Sequence, residues 1–132
     1  MTRQRISVCF WATLAVALCF LALQPGPAIG AACAGRWAMA SWYGVESCVR
    51  RPPHCRTADG SIFTGNALTA AMPSRSHLGE RWRVSYRGRS VVVLVNDYGP
   101  AAALHRGIDL SRAAARAIGF DGVHSVCLER LQ

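Results

Sequence analysis

Residues Ser90–Ala114 read SVVVLVNDYGPAAALHRGIDLSRAA, an apolar run followed by a turn, a second short apolar segment and the start of a helix. The unbroken apolar, mainly β-branched run Val91–Val95 predicts a strand that is buried on both faces. Asp97 follows where the chain has to leave this strand, and Gly99-Pro100 stops it. The stretch therefore predicts a buried strand that ends at a carboxylate.

A second carboxylate follows the turn. Ile108 and Leu110 bracket Asp109, so in an extended segment the two apolar side chains point one way and the carboxylate points the other. Ser111 then predicts an N-cap for a short alanine-rich helix over Arg112–Ile118. We expect Asp109 to face away from the core, just before this helix.

The remaining strands are shorter and are separated by loop chemistry. Alternating apolar and polar residues predict strands at Arg36–Gly44 and Arg81–Tyr86, and Arg87-Gly88 forms a hairpin turn into the valine strand. Val123–Leu131 predicts a final strand, whereas the composition of Ala67–Met72 fits a strand or a helix equally well. Five or six strands and one short helix in about a hundred residues favour a small closed β-barrel, because closure removes exposed sheet edges.

The N-terminus has the features of an export signal. Arg3 and Arg5 precede the uncharged, apolar residues 6–23, and a small-residue segment ends at Gly30. We predict a signal peptide over residues 1–30 and one exported domain over residues 31–132. An uncleaved anchor, attached to the membrane through residues 6–23, is the alternative. Both interpretations place the domain outside the cytoplasm.

The exported domain has an even number of cysteines. Cys33, Cys48, Cys55 and Cys127 predict two disulfides in an exported domain of this size. Of the three pairings we favour Cys48–Cys55, which closes a short loop with two prolines, and Cys33–Cys127, which joins the two ends. A metal site of Cys48, His54 and Cys55 matches no common zinc spacing, so no metal or cofactor is expected.

The charge of the domain is strongly positive. All fifteen basic residues are arginine, and thirteen of them follow Gly30 against seven acidic residues, an excess of six. This excess favours an anionic partner such as a cell-wall glycan or a membrane surface. Nucleic acid is disfavoured because the domain is exported and lacks the sequence signatures of nucleic-acid-binding folds. A monomer is expected.

Five segments, in this order, resemble the rare lipoprotein A (RlpA) family: ASWYG at Ala40–Gly44, RTADG at Arg56–Gly60, ALTAA at Ala67–Ala71, VNDYGP at Val95–Pro100 and IDLSRAAA at Ile108–Ala115. The resemblance implies a mainly β, six-stranded double-psi β-barrel with one or two short helices, as in barwin, expansins and MltA-type lytic transglycosylases. It also implies action on peptidoglycan glycan strands in the periplasm or cell envelope.

The resemblance further implies a polysaccharide groove. One tuned carboxyl group can protonate the leaving oxygen and later accept a proton, and we assign this role to Asp97 with Asp109 assisting. Trp42 and Arg81 are further candidates for contacts with sugar rings and with carboxylates on the peptide stems. The predicted substrate-binding residues are Ser41, Tyr43, Tyr98 and Arg106.

Several positions depart from the family pattern. Ser61, Thr64 and Met72 stand where the family has Glu, Asp and His, which would remove polar groups from one side of the groove, and Tyr98 replaces an arginine. A non-catalytic, expansin-like polysaccharide-binding module is therefore the main alternative, followed by a barwin-like secreted inhibitor or effector. Lipid attachment at Cys33 is disfavoured, because the residues just before it lack the large aliphatic side chain expected there.

Overall fold

A computed structural model describes residues 32–48 and 55–132. The predicted signal peptide and His54 lie outside these residues. None of the helices in the described ranges is long and apolar enough to cross a membrane. The strands are β1 (Arg36–Tyr43), β2 (Thr69–Met72), β3 (Arg81–Tyr86), β4 (Arg89–Tyr98), β5 (Ile108–Ser111) and β6 (His124–Leu131), and the helix α1 covers Arg112–Ala117.

The six strands form one closed barrel in the order β1-β5-β2-β4-β3-β6. The pairs β1·β5 and β2·β4 are parallel, and the other four pairs are antiparallel. Because parallel neighbours cannot be joined by a tight turn, longer connections run over the outside of the barrel and supply its loops. The predicted mainly β fold with six strands and a short helix is confirmed.

The core lies inside the barrel and follows the alternation of the strands. Val91, Val93 and Val95 of β4 point inward and are buried, whereas Val92 and Leu94 are 38% and 37% exposed. The prediction that this strand is buried on both faces is therefore wrong. The physical reason is that a strand of a single closed barrel packs its inner face into the core, while within residues 32–48 and 55–132 nothing buries Val92 or Leu94 on the outer face of β4.

Local signals in the sequence place the turn and the helix correctly. Arg87 and Gly88 have φ angles of 47° and 78°, as the predicted two-residue hairpin turn requires. Ser111 is the N-cap of α1, and its Oγ accepts a hydrogen bond of 3.2 Å from the backbone N–H of Ala114. The same Oγ donates to the carbonyl of Ala67 at 2.6 Å, which ties the helix start to the segment before β2.

Both favoured disulfides are present. Cys33 is bonded to Cys127, so the chain entering β1 is held against β6, and Cys48 is bonded to Cys55. A domain of about a hundred residues buries a limited core, and such cross-links stabilise it by restricting the unfolded chain.

Candidate active site

The two predicted carboxylates lie in one row of residues across the outer face of the barrel. In the strand register, Ser41 of β1 is paired with Asp109 of β5, Asp109 with Ala71 of β2, and Ala71 with Asp97 of β4. Neighbouring strands are about 4.8 Å apart, so the Cα atoms of the two aspartates, on either side of Ala71, are separated by about 10 Å. Four strands thus bring together residues from distant parts of the chain.

A bulge in β4 puts Asp97 into this row. Ala70 is paired with Val95, but the next residue, Ala71, is paired with Asp97, so Asn96 is the extra residue. In a regular strand the side chain of Asn96 would point outward, and that of Asp97 would point inward like that of Val95. The bulge reverses that alternation and directs the carboxylate outward.

The row borders a cavity of about 520 Å³. Of the six site residues predicted from the sequence, five line it: Tyr43, Asp97, Tyr98, Arg106 and Asp109. Ser41 does not, because it is only 4% exposed and a serine side chain at this depth is too short to reach the cavity. The other lining residues are Trp42, Ser47, Ala71, Gly99, Pro100, Ala101 and Leu104.

Asp97 is held by three hydrogen-bond donors. Its Oδ1 accepts from the backbone N–H groups of Ala58 (3.0 Å) and Tyr98 (2.8 Å), and its Oδ2 accepts from the hydroxyl of Tyr43 (3.4 Å). The Ala58 contact fastens the loop that carries the Asp-Gly turn to the end of β4. The carboxylate therefore has a fixed orientation at the edge of the cavity.

Asp109 has very different surroundings. It is half-buried, and its Oδ1 is buried without a hydrogen-bond partner among the described residues. Burial raises the pKa of the Asp109 carboxyl group, and the positive charge of Arg106 opposes that increase. Neither Asp109 nor Arg106 forms an ion pair within the described part of the chain. The missing hydrogen-bond partner thus distinguishes Asp109 from Asp97, whose two carboxylate oxygens both accept hydrogen bonds.

Tyr43 links the aromatic wall to Asp97. Its ring stacks on that of buried Phe63, with centroids 4.6 Å apart and planes inclined by 11°. Burial, followed by the charge of Asp97, raises the pKa of the Tyr43 phenol far above its usual range, so the hydroxyl remains a donor at any relevant pH. Phe63 was missed in the sequence analysis, because a lone aromatic residue in a loop gives no periodic signal.

Trp42 closes the other side of the cavity. Its Nε1 donates to Asp121 at 3.2 Å, and the guanidinium of Arg112 lies 5.3 Å from the ring centroid. Arg112 in turn forms an ion pair with Glu46. The indole is only partly buried and packs against the core, so it supports the cavity wall and also presents a surface to the cavity.

Three of the four positions that depart from the family pattern do not line this cavity, whereas the fourth, Tyr98, does. Met72 is fully buried in the barrel core, and Ser61 and Thr64 are exposed in the preceding loop. The Oγ of Ser61 is 2.6 Å from Asp59 Oδ1, and hydrogen bonds from Ser61 and Thr57 lower the pKa of Asp59. None of these three residues lines the cavity, and their effect on the wider polysaccharide groove stays a prediction.

Comparison with known proteins agrees with this geometry. The lytic transglycolase family model matches residues 37–127. The chain belongs to this family. The match covers every strand apart from the first residue of β1 and the end of β6, and it confirms the resemblance on which the double-psi β-barrel was predicted.

Similar curated proteins include RlpA proteins. The chain is 46% identical over 98 residues to the probable endolytic peptidoglycan transglycosylase RlpA of Synechocystis, covering 71% of this chain and 28% of the relative. It is 38% identical over 97 residues to the endolytic peptidoglycan transglycosylase RlpA of Neisseria meningitidis, covering 70% and 37%. The chain thus spans about a third of the length of these relatives.

One solved structure is also similar. The Streptomyces papain inhibitor has 21% sequence identity and a TM-score of 0.47, with 73% of this chain and 96% of that chain covered. At this level the similarity bears on neither activity nor ligand.

Replacing Tyr43 by phenylalanine tests the link to Asp97. The variant keeps the stack on Phe63 and loses only the hydrogen bond to Asp97, so we expect the free energy of unfolding to fall by about 1 kcal/mol. The measurement is urea unfolding followed by tryptophan fluorescence. Phe63→Leu is the comparison variant, because it removes the stack and keeps the hydrogen bond. Equal stability of Tyr43→Phe and wild type would contradict the link.

Proposed function

We propose that this domain is a peptidoglycan lytic transglycosylase in which Asp109 acts as both acid and base. The observation that carries the proposal is a half-buried carboxyl group on a cavity that also holds a fixed second carboxylate; the group has a raised pKa and an oxygen for which the described residues supply no hydrogen-bond donor. Such a pair of carboxyl groups in different environments is typical of enzymes that cleave glycosidic bonds. The similarity to RlpA proteins named as endolytic peptidoglycan transglycosylases supports the same activity.

The proposed reaction consumes no water. Protonated Asp109 donates its proton to the glycosidic oxygen, the bond from that oxygen to the sugar's anomeric carbon breaks, and the leaving chain departs as an alcohol. A hydroxyl group of the same sugar then bonds to the anomeric carbon and gives its proton to the Asp109 carboxylate, which restores the acid. The product is an anhydro sugar. Positive charge develops on the sugar ring in between, and Asp97 stabilises it as a fixed carboxylate.

In the assignment made from the sequence, Asp97 is the acid and base and Asp109 assists it. The proposed roles are the reverse. Asp97 already accepts three hydrogen bonds, two of them from backbone N–H groups, and this suits an electrostatic role. One oxygen of Asp109 has no hydrogen-bond partner among the described residues, and burial raises the pKa of its carboxyl group, so that the proton is held more tightly than on an exposed aspartate. The contrast between their surroundings favours Asp109 as the proton donor.

The neighbouring side chains supply substrate contacts. Tyr98 is 51% exposed at the cavity, and its ring lies 4.9 Å from the guanidinium of Arg75. Exposed aromatic rings with a polar tip suit the apolar faces and hydroxyl groups of sugars. Arg106 offers a cationic donor for acidic groups on the glycan.

We place the domain in the cell envelope. The two disulfides require an oxidising compartment, and peptidoglycan is the substrate in the names of the relatives. We propose that residues 1–30 direct export, that residues 31–132 form the working domain, and that it acts as a monomer. Retention of the leader would attach it to the membrane through residues 6–23.

The decisive experiment is product analysis. The full chain, produced with its disulfides formed, is incubated with purified sacculi and with isolated glycan strands, and the soluble fragments are analysed by mass spectrometry. Fragments that end in anhydro-muramic acid support the proposal. Binding to sacculi without any product would favour the expansin-like binding module, and hydrolysed ends in place of anhydro ends would reject the lytic mechanism.

The pH dependence of cleavage follows from the surroundings of Asp109. Because the acid has to be protonated, the rate should fall as the pH rises through its raised pKa. Arg106→Gln removes the positive charge that opposes this increase, so the falling limb should move to higher pH. The measurement is the pH profile of kcat for wild type, Arg106→Gln and the control Arg81→Gln, which changes an exposed arginine outside the cavity. A limb that stays in place or moves to lower pH in Arg106→Gln would contradict the assignment.

A further inference from the structure

The outer face of β1 continues beyond the cavity. Trp37, Met39, Ser41 and Tyr43 alternate with inward-facing residues, so all four side chains lie on one face of the strand. Tyr43 lines the cavity, and Ser41 is the register partner of Asp109. At the other end of the strand, Trp37 is 64% exposed and Met39 is 41% exposed. The exposed indole of Trp37 lies on the same face of β1 as Ser41 and Tyr43, so it has no role in the barrel core.

The spacing along the strand suits a linear polymer. At about 3.3 Å per residue, Trp37 is about 13 Å from Ser41 and about 20 Å from Tyr43 along β1. A ligand confined to the cavity around Asp109 would not reach the indole. A glycan strand that leaves the cavity along β1 would lie over Met39 and then over Trp37, several sugar units from the cleaved bond.

The backbone that carries the indole is held in place. Trp37 is paired with Cys127 of β6, and the bond from Cys127 to Cys33 fixes the chain that enters β1. Met39 is paired with Ser125, an exposed residue whose hydroxyl group adds a polar contact beside the apolar surface. An aromatic side chain has only two rotatable bonds, so on a fixed backbone it loses little conformational freedom when a ligand binds.

We propose that Trp37, together with Met39, forms a remote subsite that stacks on a sugar ring of the glycan strand held in the cavity. The chemical class of the ligand rests on the proposed function, whereas the location of the subsite rests on the geometry of β1. Trp37 and Met39 lie two residues apart on the strand face that leads to the cavity, so together they form one exposed apolar patch beside it. A second copy of the chain is a poorer occupant, because two exposed side chains supply far less than the roughly 800 Å² per partner that a stable dimer buries.

The test compares long and short ligands. Trp37→Ala should weaken pelleting with sacculi about tenfold and raise KM on long glycan strands by a similar factor, with kcat unchanged. On a glycan disaccharide, which is too short to reach from Asp109 to the indole, wild type and Trp37→Ala should behave alike. Trp37→Phe should restore most of the binding, because it keeps an aromatic face. Val92→Ala, on the far side of the barrel, is the control for loss of an exposed apolar side chain and should change nothing.

Pelleting is also measured with Asp109→Asn as the background, so that binding is scored without cleavage. Weaker pelleting of the Trp37→Ala double variant supports the subsite even if wild type releases no product, an outcome that would reject only the proposed activity. Unchanged pelleting and KM with normal product release would overturn the subsite and leave the activity standing. A change in sedimentation coefficient with unchanged glycan binding would assign the indole to self-association and would also overturn the proposal.

Discussion

Replacing Asp109 with asparagine is expected to lower the rate of glycan cleavage by about 10²- to 10⁴-fold, the usual contribution of a general acid and base. Asparagine preserves the size of the side chain but can neither donate the proton to the glycosidic oxygen nor accept one from the attacking hydroxyl. Because glycan contacts such as Tyr98 are unchanged, binding to sacculi should remain near the wild-type level. The measurement is the release of anhydro-muramyl fragments alongside a pelleting assay.

Two further variants sharpen this test. Asp97→Asn should also reduce turnover, because it weakens electrostatic stabilisation of the charged intermediate, and its pH profile should keep the wild-type falling limb. Glu129→Gln is the matched control, since Glu129 pairs with Arg83 on the β3·β6 side of the barrel and does not line the cavity. An Asp109→Asn variant with more than a tenth of the wild-type activity would remove Asp109 from the mechanism.

The Asp109→Asn substitution should also change the stability of the domain. A raised pKa means that folded Asp109 keeps its proton to higher pH than the unfolded chain does. The wild-type protein therefore loses stability as the pH rises from the ordinary range of an aspartate through the raised pKa of the folded state. Asp109→Asn carries no charge, so it should melt at a higher temperature than wild type at neutral pH. The difference should vanish below the ordinary aspartate range, and the opposite trend would contradict the assigned surroundings.

Replacing Cys33 and Cys127 with alanine is expected to lower the free energy of unfolding by about 4 to 5 kcal/mol, because the bond closes a loop with a sequence separation of 94. A loss of this size is a large fraction of the stability of a small domain. Urea unfolding followed by tryptophan fluorescence measures it, and the midpoint should fall without a loss of the cooperative transition. Cleavage on short glycans should persist below the new midpoint, since neither cysteine lines the cavity.

The second disulfide provides an internal control. Cys48 and Cys55 have a sequence separation of 7, so the same chain-entropy argument predicts a loss of only about 2 to 3 kcal/mol when both are replaced by alanine. The expected difference between the two double variants is thus about 2 kcal/mol. Equal losses would show that restriction of the unfolded chain is not the main source of stabilisation by the Cys33–Cys127 bond.

Local chemistry is what could be predicted from the sequence. The alternation of β3, the Arg87-Gly88 turn and the Ser111 N-cap each depend on neighbouring residues only, and the structure contains all three. The outward direction of Asp109 follows from its two apolar neighbours in the same way. The family motifs then predicted the barrel and a groove lined by both Asp97 and Asp109.

What the sequence by itself determined was therefore the identity of the elements and of the two carboxylates. The tertiary structure decided their environment, because burial and register depend on which strands become neighbours. Ala67–Met72 contains a strand since it lies between β4 and β5, and the bulge at Asn96 turns Asp97 outward. The same packing buries Ser41 and leaves one oxygen of Asp109 without a hydrogen-bond partner in the described part of the chain. A pKa depends on solvation and on nearby charges, which arise only when the barrel closes, and this is why we propose Asp109 in place of Asp97 as the proton donor.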